Sequence, residues 1–214
     1  MCIRDRLFGA RASLGIAGAA TLLGAFVGIV LGVVGGYLGG RVGAILAWVI
    51  DMLMSFPALI IGIMVVAALG PGLTSTVTAI GVALVARFAR LARASTLSVR
   101  MREYVVAAIA VGARPHRIML RYVAPNISGP IFGIGVVWLA HAIVTEASLS
   151  FLGLGVQPPE ASWGSMIKDA MRSMTTAPWV ALAPGAAITL AATAITVVGD
   201  RLQSVLDPRL RPRG

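Results

Sequence analysis

The sequence predicts an all-α, polytopic membrane protein, and three observations carry that prediction. Apolar residues make up 58% of the chain and charged residues only 12%, with mean hydropathy +0.91, against roughly 25% charged in soluble domains. The apolar residues gather into runs long enough to cross a bilayer, which takes about 20 residues. The basic residues, all arginine except Lys168, mostly flank those runs. A net charge of +10 would suggest nucleic acid in a soluble protein, but membrane topology explains these arginines more simply, and no nucleic-acid partner is expected. A single cysteine, Cys2, excludes an internal disulfide and a thiolate metal cluster.

Five spans are expected within one domain, residues 1–214. The first, about 13–37, carries Ala20, Gly24, Gly28, Gly32 and Gly36 at intervals of four. Small residues at that spacing make a smooth ridge that a second helix can approach closely. A basic lead before this run could be a secretory signal, but the run outlasts a signal core. The second span, about 42–69, contains Asp51 and then Pro57, which should kink it. Asp51 either snorkels near the cytoplasmic interface or faces a transport path. LGPGL then turns the chain on the opposite side. The third span, about 73–88, is short and opens with Thr74, Ser75, Thr76 and Thr78, whose hydroxyls can bond back to their own helix.

Between the third and fourth spans lies an Arg-rich segment, 87–126, holding Arg87, Arg90, Arg93, Arg100, Arg102, Arg114, Arg117 and Arg121. It should form a cytoplasmic helical hairpin. Its first helix is expected over 99–111, capped by Ser98 and stopped at Gly112 in the left-handed C-terminal position. Pro115 suits the first turn of the second helix, and Pro125 should end it. There Arg114, Arg117 and Arg121 line one face, and Pro115, Ile118, Met119 and Tyr122 another. A hairpin of that kind can lie on lipid or dock in a partner's groove.

The fourth span, about 127–149, contains His141, Thr145 and Glu146 on neighbouring helical positions. A proton relay or substrate contact is one reading; hydrogen bonding between helices is the plainer and favoured one, because Glu146 lies near the far end of the span. The segment 150–178 is an external loop too rich in turn residues to span. Within it Trp163, Met166, Ile167, Ala170, Met171 and Met174 share a helical face, which marks an interfacial or bundle-capping helix. The fifth span, about 179–198, starts at Trp179, placed as an interfacial anchor.

Placing the Arg-rich segment inside also puts Arg41, Arg201, Arg209, Arg211 and Arg213 there, and leaves Arg4, Arg6, Arg11, Lys168 and Arg172 outside. That asymmetry sets the orientation. It also places the N-terminus outside, so one further span is expected ahead of this sequence.

Few chemistries fit. Lys168 is followed by Asp169, so there is no phosphate-cradling loop and no P-loop ATPase. Neither metal-ligand spacing nor a catalytic triad can be built around His116 and His141, so no catalytic residue, metal or cofactor is expected. No potassium-filter sequence is present. The energy for any transport must come from an ion gradient or from another subunit. A gradient-driven secondary transporter and a non-transporting membrane scaffold are the alternatives.

At this point the sequence resembles the permease subunits of binding-protein-dependent ABC importers. Their signature is Glu-Ala-Ala, three residues, Gly, nine residues, then Ile-x-Leu-Pro. The register here gives Val106, Ala107, Ala108, Gly112, Tyr122, Ala124 and Pro125, with Val106 in place of the glutamate and Glu103 three residues earlier. GGYLGG, DMLMSFPAL, REYVVAA, PNISGPI and EASLSFLGLGVQPPEASWG extend the likeness over nearly the whole chain, and SFLGLGVQPP followed by SWG is similar to the C-type subunit of dipeptide, oligopeptide and nickel importers. The resemblance implies a type I importer bundle in a bacterial or archaeal inner membrane. It implies a second homologous permease, two cytoplasmic ATPases that hydrolyse the ATP, and an external solute-binding protein. It also implies that Glu103, Val106, Ala107, Ala108, Gly112, Arg114, Ile118, Tyr122 and Pro125 form the ATPase-coupling segment. Asp51, His141 and Glu146 remain the intramembrane polar candidates.

Overall fold

The computed structural model describes the backbone of residues 3–206 and the side chains of residues 8–203; the side chains of Arg4, Arg6, Arg209, Arg211 and Arg213, expected on one side or the other of the membrane, lie outside these. The glycine ridge organises the bundle. It lies on α1 (Ile3–Leu38) and packs along α4 (Leu73–Arg100), the most extensive helix pair in the protein. A Cβ at Gly24 would stand 2.6 Å from Leu84 Cβ, and one at Gly28 would stand 2.6 Å from both Phe88 Cβ and the Val85 carbonyl oxygen. Gly32 meets the Ala89 carbonyl, and Gly36 meets Thr96 at 2.9 Å. Both helices thus repeat every four residues along one seam, and backbone touches backbone where a side chain would hold them apart.

Four helices among the described residues are long and apolar enough to cross a membrane, and a fifth span results if one bent pair counts as one. That pair, α2 (Gly40–Met54) and α3 (Ala58–Leu69), stands where one kinked span was expected, and it turns through 93°. Pro57 has no N–H and keeps Phe56 out of the helical region, so α2 stops at Ser55 and α3 starts afresh. Ser55 closes α2 by donating both its N–H, at 3.1 Å, and its hydroxyl, at 2.9 Å, to the Asp51 carbonyl.

The third span is also longer than expected, because α4 runs unbroken through the arginines to Arg100. Its second half is amphipathic: Phe88, Ala89, Ala92, Thr96 and Val99 are buried, while Arg90 and Arg100 are exposed. At its start Thr76 and Thr78 bond back to the Gly72 and Thr74 carbonyls, as their spacing suggested.

After a short hairpin, α7 (Ala124–Phe151) returns through the bundle. It ends at Gly153, with φ +83, whose N–H and that of Leu154 donate to the Ser150 and Leu149 carbonyls, so two terminal carbonyls are satisfied. The outer end is covered by α8 (Trp163–Ala170). Ser162 and Ser165 cap it reciprocally, and Ser13 on α1 accepts a 3.1 Å bond from the Trp163 N–H. A Cβ at Gly164 would meet the Ala147 carbonyl, so that glycine lets α8 touch α7 directly. The capping face is shorter than its sequence suggested. Trp163, Met166 and Ala170 are buried, but Met171 and Met174 are exposed because the chain tightens into a 3-10 turn at Met171–Ser173. The last helix, α9 (Trp179–Leu206), packs against α7, where Gly199 meets Val136 and Gly133 meets Gln203.

Candidate coupling surface

The hairpin between α4 and α7 begins at Met101 rather than at residue 99, and Ser98 lies inside α4 instead of capping a new helix. Its first helix, α5 (Glu103–Ala110), starts after Arg102 takes an extended conformation. Gly112, with φ +80, ends it: its N–H donates to the Ile109 carbonyl at 3.0 Å and that of Ala113 to the Ala108 carbonyl at 3.1 Å. This double closure is the left-handed helix stop that glycine adopts without strain. No atom lies within 4 Å of a Cβ built on Gly112, so what the position demands is backbone freedom, not space.

Pro115 opens the second helix, α6 (Pro115–Ile118), as its spacing predicted. Pro125, however, does not end it. The chain passes through a π-helical turn at Met119–Val123 and continues into α7, so 115–151 is one continuous helical rod. A proline in a regular helix meets the carbonyl four residues back. The wider π turn ahead of Pro125 relieves that contact, and Asn126 donates its side-chain amide to the Tyr122 carbonyl at 2.7 Å.

These elements split the predicted coupling residues in two. Ala108 and Ile118 are buried, Ile118 at 0% exposure, and together with Val105 and Val123, buried residues outside the predicted set, they fasten the hairpin to the bundle. Tyr122 is half-buried, with its ring 6.3 Å from that of Tyr104. Glu103, Val106, Ala107, Gly112, Arg114 and Pro125 face outward. Three exposed apolar side chains that the sequence did not single out join them: Ile109, Val111 and Leu120. With Arg114, Arg117 and Arg121 exposed beside them, the surface is an apolar knob with a cationic rim. Their exposure could not be read from the sequence, because Ile109 and Val111 look like core positions until the burial of Val105 and Ala108 fixes which face turns inward.

The intramembrane candidates do not form one site. Asp51 is exposed on α2 and His141 is exposed on α7. Glu146 is fully buried: Oε1 accepts a 2.6 Å bond from the Ser150 hydroxyl, and Oε2 has no partner. Thr145 likewise donates to the His141 carbonyl, so these bonds run along α7 and not between helices, as had been favoured. Hydroxyls four residues on reach their own helix first. Among the described residues no group of His, Cys, Asp and Glu comes together as a metal site.

Comparison with known proteins adds the family. The model of binding-protein-dependent transport system inner membrane components matches residues 28–212. A peptide transport system permease protein of Brucella suis biovar 1 is 42% identical over 97% of this chain and 70% of its own length. The glutathione transport system permease protein GsiD of Escherichia coli O157:H7 is 37% identical over 96% of this chain and 68% of its own. In fold, the chain is similar to an inward-facing structure of the methionine ABC transporter MetNI, with TM-score 0.79 at 15% identity, covering 97% of this chain and all of that one. A crystal structure of an amino acid ABC transporter aligns with TM-score 0.67 at 18% identity, over 97% of this chain and 94% of the other. The long helices, the capped hairpin and these matches agree: the chain belongs to the binding-protein-dependent transport system inner membrane components and is a permease subunit of an ABC importer.

Proposed function

We propose that this permease imports peptides or peptide-like solutes such as glutathione across a bacterial inner membrane, and that its α5–α6 hairpin docks in the groove of a cytoplasmic ATPase. The observation that carries the docking is the hairpin itself, a rigidly closed apolar knob standing clear of the bundle with Val106 54% and Val111 86% exposed. Relatives named for peptides and for glutathione support the solute class. The energy comes from the partner: two ATPases bind and hydrolyse ATP, and the hairpin carries the conformational bias of their closure into α4 and α7. A second, homologous permease completes the path, and an external solute-binding protein delivers the solute. The spans are α1, the α2–α3 pair, α4, the 115–151 rod and α9, with the hairpin inside and α8 outside.

Reconstitution tests this reading. The chain would be placed in proteoliposomes with its partner permease, the ATPases and the binding protein, and uptake of labelled di- and tripeptides followed. Uptake that requires ATP inside the ATPase compartment and survives collapse of ion gradients is expected. Uptake driven by a gradient without the ATPases, or ATPase binding with no solute movement, would overturn it.

A further inference from the structure

Polar groups at membrane depth are tolerated where they line a watery cavity or meet a partner, and a broken helix at that depth marks such a place. The break between α2 and α3 faces the middle of α4, and the side chain turned toward it is Arg87. Arg87 stands 14 residues into α4, roughly 21 Å from its outer end at 1.5 Å per residue, where the uncharged run of that helix gives way to its arginines. It is half-buried, and it borders three separate spaces. One, of about 350 Å³, opens beneath the Met54–Ala58 break. A second, of about 470 Å³, is shared with Arg90 and Trp138. A third, of only about 10 Å³, leads to His141 and Thr145 on α7. Arg90 lies one turn further along the same face, with Nη1 3.5 Å from Met54 Sδ. Arg87 alone thus borders all three spaces, the one beneath the helix break included, with Arg90 and His141 each on a neighbouring one, and among the described residues no acidic side chain lines any of them.

The geometry points to a subsite for a carboxylate of the transported solute at Arg87, with Arg90 and His141 beside it. A guanidinium fork matches a carboxylate with two parallel hydrogen bonds, and a desolvated site strengthens them. A subsite at the elbow would register the C-terminal carboxylate of a peptide while leaving its side chains unread. The inference rests on the import of peptide-like solutes proposed above.

Arginine footprinting of the assembled wild-type importer in nanodiscs tests it without a variant that could misfold. Phenylglyoxal modification of Arg87 would be read by mass spectrometry relative to the exposed Arg41, with triglycine or triglycinamide as the probe and with phosphatidylcholine alone or mixed with phosphatidylglycerol. Triglycine should lower Arg87 modification at least threefold in both lipids and triglycinamide should not. Equal protection by both peptides or by neither overturns the subsite. So does an Arg87 that is unreactive before any peptide is added, which would mean a carboxylate of the partner permease already holds it. Protection by phosphatidylglycerol that triglycine does not increase assigns the anion to lipid phosphate and also overturns it. In uptake, Arg87→Gln should raise the KM for triglycine about tenfold, with Arg87→Lys restoring part of the loss. Absence of ATP-driven uptake by the wild type would sink the import reading alone, because the footprint reads binding directly.

Discussion

Gly112 does its work through one backbone angle. At φ +80 any residue with a Cβ is strained by roughly 1–2 kcal/mol, and a β-branched one suffers most. Gly112→Val should therefore loosen the two bonds that close α5. In reconstituted vesicles it should lower ATP-driven uptake by roughly 5–30-fold while ATP hydrolysis continues, and Gly112→Asn, which tolerates this region, should keep most of the coupling. Unchanged coupling in the valine variant would show that the docked hairpin needs no fixed stop. This residue was legible from its place between a helical run and Pro115. The outward Val106 was legible only in part: spacing aligned it with the family's glutamate, but its exposure follows from the burial of Val105 and Ala108. Arg87 was legible as a cation but not as a residue of α4. Its position at the head of an Arg-rich stretch suggested a cytoplasmic loop, whereas the neighbours that hold α4 helical there, Phe88, Ala89 and Ala92, are contributed to a seam with α1 that sequence spacing shows from one side only.

Among the elements, the α1–α4 seam is the one most tightly specified. A methyl added at Gly28 must displace backbone on α4 and should cost about 1–3 kcal/mol. The same methyl at Gly18, which has no atom within 4 Å, should be neutral or stabilise the helix by up to about 1 kcal/mol. Thermal unfolding in detergent would separate Gly28→Ala from Gly18→Ala; equal midpoints would mean that the seam yields without loss. The ridge could be read directly, since its period of four is a property of one segment. The helix ends could not. Pro57 and Pro125 carry the same local signal, yet one breaks the chain through 93° and the other sits in an unbroken rod. Ahead of Pro125 the chain takes a π turn at Met119–Val123, which no local pattern announced.

For the molecule as a whole, orientation and spans make a mapping experiment. With Cys2 replaced, single cysteines at Gly40 and Val111 should react with an impermeant maleimide only from the cytoplasmic side, and those at Pro71 and Glu160 only from the outside. Any reversed pair would refute the arrangement. The loop at Gly39 and the hairpin already share one end of the bundle, since Arg100 lies over the Tyr37 ring, 5.6 Å from its centroid. Between that end and the other runs α4, 28 residues with no interruption, roughly 42 Å at 1.5 Å per residue. A rod of that length is a lever arm. If its inner end is pushed by a docked ATPase so that it tilts by about 10° about the elbow of α2 and α3 beside its midpoint, its outer end sweeps roughly 4 Å the opposite way, a stroke that widens or narrows a passage for a small solute.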